Sequence, residues 1–213
     1  MSGVRLDDCT ALIVAGGESR RMGQDKATLA LNSTNSNNAM NAQPLVDELA
    51  YRLQPFFAKL LVSVRAPRAE IRWPQVFDDP ALMGPLAGLE GGLRVCSTPW
   101  LFALAVDMPF IDPATILRLA ELRNDVDAVV PCSEGVAQPL VAFYSRSCLT
   151  RIDELTAQPD GRRSLRAMLE GLRVRYVDAA DLGAAEKVFV DLDTPEDVRK
   201  YGFSLTDKVQ NNF

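Results

Sequence analysis

Cys9-Thr-Ala-Leu-Ile-Val-Ala15 runs without a charge into Gly16-Gly17. A short, uncharged and mostly apolar run with β-branched residues, ending in turn residues, fits a strand buried on both faces of a parallel sheet. Moving outward, Leu45, Leu49, Leu53 and Phe57 recur every four residues and predict a helix over Pro44 to Phe57 with a proline at its start. Leu60 to Val64 reads as a second strand, and Gly84 to Val95 as a loop passing into a helix. Trp100 to Val106 is a third, nearly all-apolar strand. Pro113 to Leu122 follows as a helix and Ala128 to Val130 as a strand. Buried strands alternating with helices predict an α/β fold, doubly wound about a mostly parallel sheet.

The second half continues less regularly. Pro139 to Tyr144, Val174 to Val177 and Val188 to Val190 read as strands, and Cys148 to Leu155, Ser164 to Leu169 and Pro195 to Tyr201 as helices. No break in composition divides the chain, so residues 1–213 are expected to form a single domain. Five of the twelve residues from Asn32 to Gln43 are Asn, and no apolar face recurs there. Residues 32–43 are therefore expected to be a mobile loop, since they cannot bury enough surface to offset chain entropy.

Composition removes several classes of function. The net charge is −5, where a nucleic-acid surface needs a basic excess. There is no histidine, which excludes a Ser-His-Asp triad, a Cys-His pair and an imidazole proton shuttle. Cys9, Cys96, Cys132 and Cys148 form no CxxC pair and suit buried thiols in a reducing compartment. No apolar run approaches the ~18 residues of a membrane span. Met1 to Thr10 lacks the apolar core of a signal peptide, so a cytoplasmic location is expected.

The chemistry concentrates at strand ends. In Val14-Ala-Gly-Gly-Glu-Ser-Arg-Arg-Met-Gly-Gln-Asp-Lys26, glycines directly after a buried strand let backbone N–H groups approach an anion. Arg20, Arg21 and Lys26 add three cations suited to phosphate. The pattern is neither a Walker A loop nor the dinucleotide Gly-x-Gly-x-x-Gly. The bland alternative is a tight turn carrying solvated arginines. Asp107, in Ala105-Val-Asp-Met-Pro-Phe110, follows another buried strand, where open sheets place ligands. A carboxylate there can ligate Mg²⁺, which often takes one or two protein oxygens when phosphates supply others. Asp112, just before Pro113, is the better helix cap. Asp193 stands open between capping the helix at Pro195 and serving as a second metal ligand. Asp78-Asp79 and Gly84-Pro-Leu-Ala-Gly88 form a loop permitting close approach to a planar ligand.

Taken together, Ala15-Gly-Gly, Arg21-Met-Gly-Gln-Asp-Lys26, Gly84-Pro-Leu-Ala-Gly88, Asp107-Met-Pro109, Gln138-Pro-Leu140 and Asp193-Thr-Pro195 resemble the molybdenum cofactor guanylyltransferases. The resemblance spans residues ~9 to 201 and implies a nucleotidyltransferase-like, Rossmann-type fold. It implies GTP and molybdopterin (or its metal-bound form) as substrates, Mg²⁺ as cofactor, and transient contacts with proteins that deliver or accept the cofactor. GTP contacts are implied at Val14, Ala15, Gly16, Gly17, Lys26, Ser63 and Gly84, with Asp79 or its neighbour Asp78 beside the guanine. Asp107 matches the family's magnesium ligand. This chain departs from the family at Ser63, where Asn is frequent, in its Asn-rich stretch, and in Asp191-Leu-Asp193, where Asn-x-Asn is frequent.

The implied reaction is in-line attack of the pterin's terminal phosphate on the α-phosphorus of GTP. That nucleophile is ionised at neutral pH and needs no general base, in accord with a chain lacking histidine. Arg21 and Lys26 would offset charge on the β- and γ-phosphates, while Asp107 holds the metal. Arg162, Arg163 and Arg166 could bind the pterin phosphate or simply form an exposed face. The rival readings are a related enzyme using CTP or another phosphorylated acceptor, and a nucleotide-binding regulator without turnover.

Overall fold

The computed structural model describes residues 4–16, 31–33, 44–82, 84–158, 163–201 and 203–205. Its centre is an eight-stranded sheet in the order β4-β3-β1-β5-β8-β6-β7, with β9 also on β6. The opening run lies within β1 (Leu6–Val14), paired in parallel with both β3 (Phe57–Val64) and β5 (Trp100–Ala105). β4 (Gln75–Phe77) adds in parallel to the outer side of β3. β8 (Val141–Ser145) runs antiparallel between β5 and β6 (Ala128–Ser133). β7 (Val136–Ala137) folds back on β6, and β9 (Val174–Asp178) pairs with it in parallel. The sheet is thus mostly parallel, as its apolar strands predict, with an antiparallel insertion that apolarity alone does not announce.

Alternation along β1 explains the double winding. Cys9, Ala11 and Ile13 enter one core while Leu12 and Val14 enter the other. The first core is closed by α1 (Leu45–Leu53), α3 (Pro113–Glu121) and α6 (Pro195–Lys200). The second is closed by α2 (Pro85–Val95), α4 (Cys148–Ala157) and α5 (Leu165–Leu169). In α1 the buried Leu45, Val46, Leu49, Ala50 and Leu53 form one stripe, and Asp47 and Glu48 complement the positive end of the helix.

Three sequence expectations are corrected. The first helix stops at Leu53, a 3-10 turn spans Gln54–Phe56, and Phe57 already opens β3. Pro55 supplies no N–H to carry the α-helix on. Val188 to Val190 is not a strand: Glu186–Phe189 forms a 3-10 turn, and Val188 and Phe189 are apolar because they are buried. Asn32 and Ser33, assigned to the mobile loop, belong to the short strand β2 (Leu31–Ser33), antiparallel to β10 (Phe203–Leu205). Residues 34–43 lie outside the described residues. The brief strands β2, β4, β7 and β10 had no signal, because two or three residues show no period. Among the described residues, no helix is long and apolar enough to cross a membrane.

Candidate active site

β4, β3, β1 and β5 run in one direction, so their carboxyl ends share one edge of the sheet. Backbone bonds continue the ladders past the strands. Ala15 N–H donates to the Ser63 carbonyl (3.0 Å), Val106 N–H to Val14 (3.1 Å) and Asp78 N–H to Val64 (3.1 Å). Residues 15–16, 64–65, 78–79 and 106–107 therefore emerge side by side. Gly17, Arg20, Arg21 and Lys26 lie outside the described residues.

Behind this edge, the Ser63 hydroxyl is wholly buried and donates to Asp78 Oδ1 at 2.6 Å. Two glycines make room for the pair. A Cβ on Gly16 would stand 2.3 Å from Asp78 Oδ2, and one on Gly88 would stand 2.2 Å from Ser63 Oγ. Gly88→Ala would thus drive the Ser63 hydroxyl off Asp78 or lift α2 from β3. We expect it to destabilise the fold by roughly 1–3 kcal/mol, read as a lower urea midpoint at constant m-value. An unchanged midpoint would mean that the α2–β3 contact is slack.

Asp79 faces the open side. Its Oδ1 accepts the Ala81 N–H (2.8 Å), and its carbonyl accepts the Leu82 N–H (3.0 Å), closing a tight turn. The turn borders a cavity of about 350 Å³ lined by Arg65, Asp78, Asp79, Leu82, Gly84 and Ala87, among others. Gly84 precedes α2, whose first turn has no side-chain cap. Arg163 donates to the carbonyls of Ala81 (3.1 Å) and Thr156 (3.2 Å), tying this turn to the end of α4. Arg166 instead pairs with Glu170 on an exposed helix face, and Arg162 lies outside the described residues. A larger cavity, about 430 Å³, sits at the opposite end of β3 around Phe57, Lys59 and Trp73, away from every motif.

Asp107 leaves the end of β5, whose Ala105 N–H donates to Leu140 of the Gln138-Pro-Leu140 segment (2.8 Å). The Arg52 guanidinium, on α1, donates to the carbonyls of Pro109 and Ile111 and fixes the chain beyond. Leu192 N–H donates to the Asp107 carbonyl (2.8 Å), which brings Asp193 within one residue of that contact. Thr194 caps α6: its hydroxyl oxygen accepts Asp197 N–H, and the Asp197 carboxylate accepts Thr194 N–H. The Thr194 hydroxyl, donating to Asp197 Oδ2 at 2.7 Å, and then the Thr194 N–H hold the Asp197 carboxyl below the usual range. Asp193 is therefore not needed as the cap. Asp112 caps α3 as expected, accepting Thr115 N–H at 2.9 Å.

The donor set suits a hard cation. Asp107 offers carboxylate oxygens at the end of β5 and Asp193 offers them from the segment whose Leu192 N–H meets Asp107, and no group of three or more candidate ligands occurs among the described residues. Mg²⁺ shared with phosphates and waters requires no more than one or two. Three of the cysteines are poor nucleophiles: burial raises Cys9 and Cys132 and pushes Cys148 up to about 12. Sequence reasoning did not single out Arg65 or Ser63's bond to Asp78. The signal available for Arg65 was its place directly after a strand.

The chain is similar to known proteins over most of its length. Residues 11–175 match the model of a family described as MobA-like NTP transferase domain. A Pelotomaculum thermopropionicum protein named "Probable molybdenum cofactor guanylyltransferase" is 32% identical, the alignment covering 90% of each chain. The molybdenum cofactor guanylyltransferase of Desulfosudis oleivorans is 27% identical, over 92% of this chain and 95% of that one. The crystal structure of molybdopterin-guanine dinucleotide biosynthesis protein A from Archaeoglobus fulgidus superposes with a TM-score of 0.74 at 22% identity, covering 91% of this chain and 96% of that one.

Proposed function

Because the chain belongs to the MobA-like NTP transferase family, we propose that it transfers GMP from GTP to the terminal phosphate of molybdopterin. An acceptor phosphate oxygen bonds to the α-phosphorus of GTP, the α–β bridging bond breaks, and pyrophosphate leaves. The observation that carries this reading is the shared edge on which Gly16, Asp78, Asp79 and Asp107 meet beside a base-sized cavity. The names of the curated relatives support it.

The chain's work is positioning and charge compensation. Val14 to Gly17 present backbone to the nucleotide, and Arg21 and Lys26 neutralise the β- and γ-phosphates. Gly84 backs the base. Ser63 acts from behind, holding Asp78 against Gly16, so that Asp79 takes the guanine N1–H and N2–H. Asp107, with Asp193 beside it, would hold Mg²⁺. Bound there, the metal would offset negative charge at the reacting phosphates.

The test is base choice. Cytosine lacks the donor pair that Asp79 would accept, and bound there it would cover a carboxylate whose lone pairs beyond the Ala81 bond meet no donor. Turnover with one pterin acceptor is expected to favour GTP over CTP by at least ~10²-fold in kcat/KM. Asp79→Ala narrows that ratio chiefly by losing GTP activity. If CTP equals or beats GTP, the guanylyl reading falls and a cytidylyl one replaces it. Nucleotide binding without pyrophosphate release from either would favour a regulator.

A further inference from the structure

We propose that Arg65 is a specificity-determining residue that donates to O6 and N7 of the guanine, opposite the carboxylate that takes N1–H and N2–H. The inference rests on the guanylyl reading and adds a second, chemically independent reader to it.

Register along β3 places Arg65. Val62 and Val64 enter the core closed by α1, whereas Leu61 and the Ser63 hydroxyl face α2. One step beyond Val64, the same alternation brings residue 65 to the α2 side. Val64 is in register with Phe77 of β4, and its carbonyl accepts the Asp78 N–H. Arg65 and Asp78 are therefore neighbouring strand tips. Arg65, Asp78, Asp79, Gly84 and Ala87 all line the 350 Å³ cavity.

Chemistry then selects the ligand edge. A cavity holding both carboxylates and a guanidinium suits a planar group with adjacent donors and acceptors. On guanine, N1–H and N2–H are donors, while O6 and N7 are acceptors that arginine meets with two parallel N–H bonds. The carboxylate and guanidinium thus flank the corner at O6. The first turn of α2 borders the same space through Gly84 and Ala87, and its positive end favours a carbonyl oxygen there. Adenine puts an amino group where O6 would be, facing the guanidinium. Cytosine has no N7-like acceptor beside its exocyclic group. Arg65 would therefore reject both bases through a term that does not depend on Asp79.

Three triphosphates separate the two readers. 7-Deaza-GTP lacks the N7 acceptor, and ITP lacks the N2 amino group. Steady-state kcat/KM for GTP, 7-deaza-GTP and ITP would be measured with molybdopterin on the full chain, for wild type and Arg65→Met. Wild type is expected to prefer GTP over 7-deaza-GTP by about 10-fold. Arg65→Met should lower GTP efficiency by about 10- to 100-fold and bring that preference close to one. The GTP-to-ITP ratio, set by the carboxylate, should stay as in wild type. Arg65 is exposed, so the variant is expected to melt with wild type. A GTP preference over 7-deaza-GTP that survives in Arg65→Met overturns the assignment. Equal losses with GTP and 7-deaza-GTP overturn it too, pointing to a phosphate contact. Wild type that prefers CTP overturns the guanylyl reading and this inference together, which the intact GTP preference in the other outcomes distinguishes.

Discussion

Lys26→Ala is expected to cut turnover of the bound enzyme by up to ~10³-fold while leaving thermal unfolding near wild type. In the sequence the residue comes ten positions after Gly16, and Gly16 leaves the end of β1, the strand whose tip meets Ser63, Val106 and, through Gly16, Asp78. In the proposed reaction this cation offsets negative charge that shifts toward the leaving pyrophosphate as the α–β bond breaks. A unit charge pair ~4 Å apart at an effective dielectric of ~20 is worth roughly 4 kcal/mol. If most of that interaction develops in the transition state, the rate falls by about three decades. Rapid-quench measurement at saturating GTP isolates the chemical step. A change confined to melting temperature would identify the segment as a tight turn with solvated cations.

Asp107→Asn is expected to lower turnover by ~10²-fold or more with little change in fold. The backbone around residue 107 is held independently of its side chain, by Leu192 N–H on its own carbonyl and by Arg52 on the carbonyls that follow. The substitution is isosteric and removes a unit negative charge from a proposed cation ligand, weakening metal placement at the reacting phosphate. The effect should be steepest at limiting Mg²⁺ and should shrink as Mg²⁺ is raised. Near-normal activity at limiting Mg²⁺ would remove Asp107 from the mechanism. The Asp193→Asn variant, under the same titration, would show whether the carboxylate beside it shares the role.

The sequence by itself determined the frame. Uncharged, mostly apolar runs at Cys9–Ala15 and Trp100–Val106 are short enough to fit strands covered on both faces, and such strands call for helices on either side. It also singled out the strand ends at Gly16 and Asp107 as candidate ligand positions, and the parallel strands do bring those ends to one edge. Tertiary structure alone decided the rest. β8 reverses direction between β5 and β6, and a strand's polarity leaves no trace in its hydrophobicity. Asp78 and Asp79 are adjacent and alike in sequence. The fold separates them by turning one toward buried Ser63 and using the other to open a turn at the cavity. Thr194, rather than Asp193, caps α6, a choice between two capable side chains settled by which one reaches the Asp197 N–H. Arg65 joins the cavity because β4 adds to β3 in a particular register, and that pairing spans residues too far apart for any local pattern to encode.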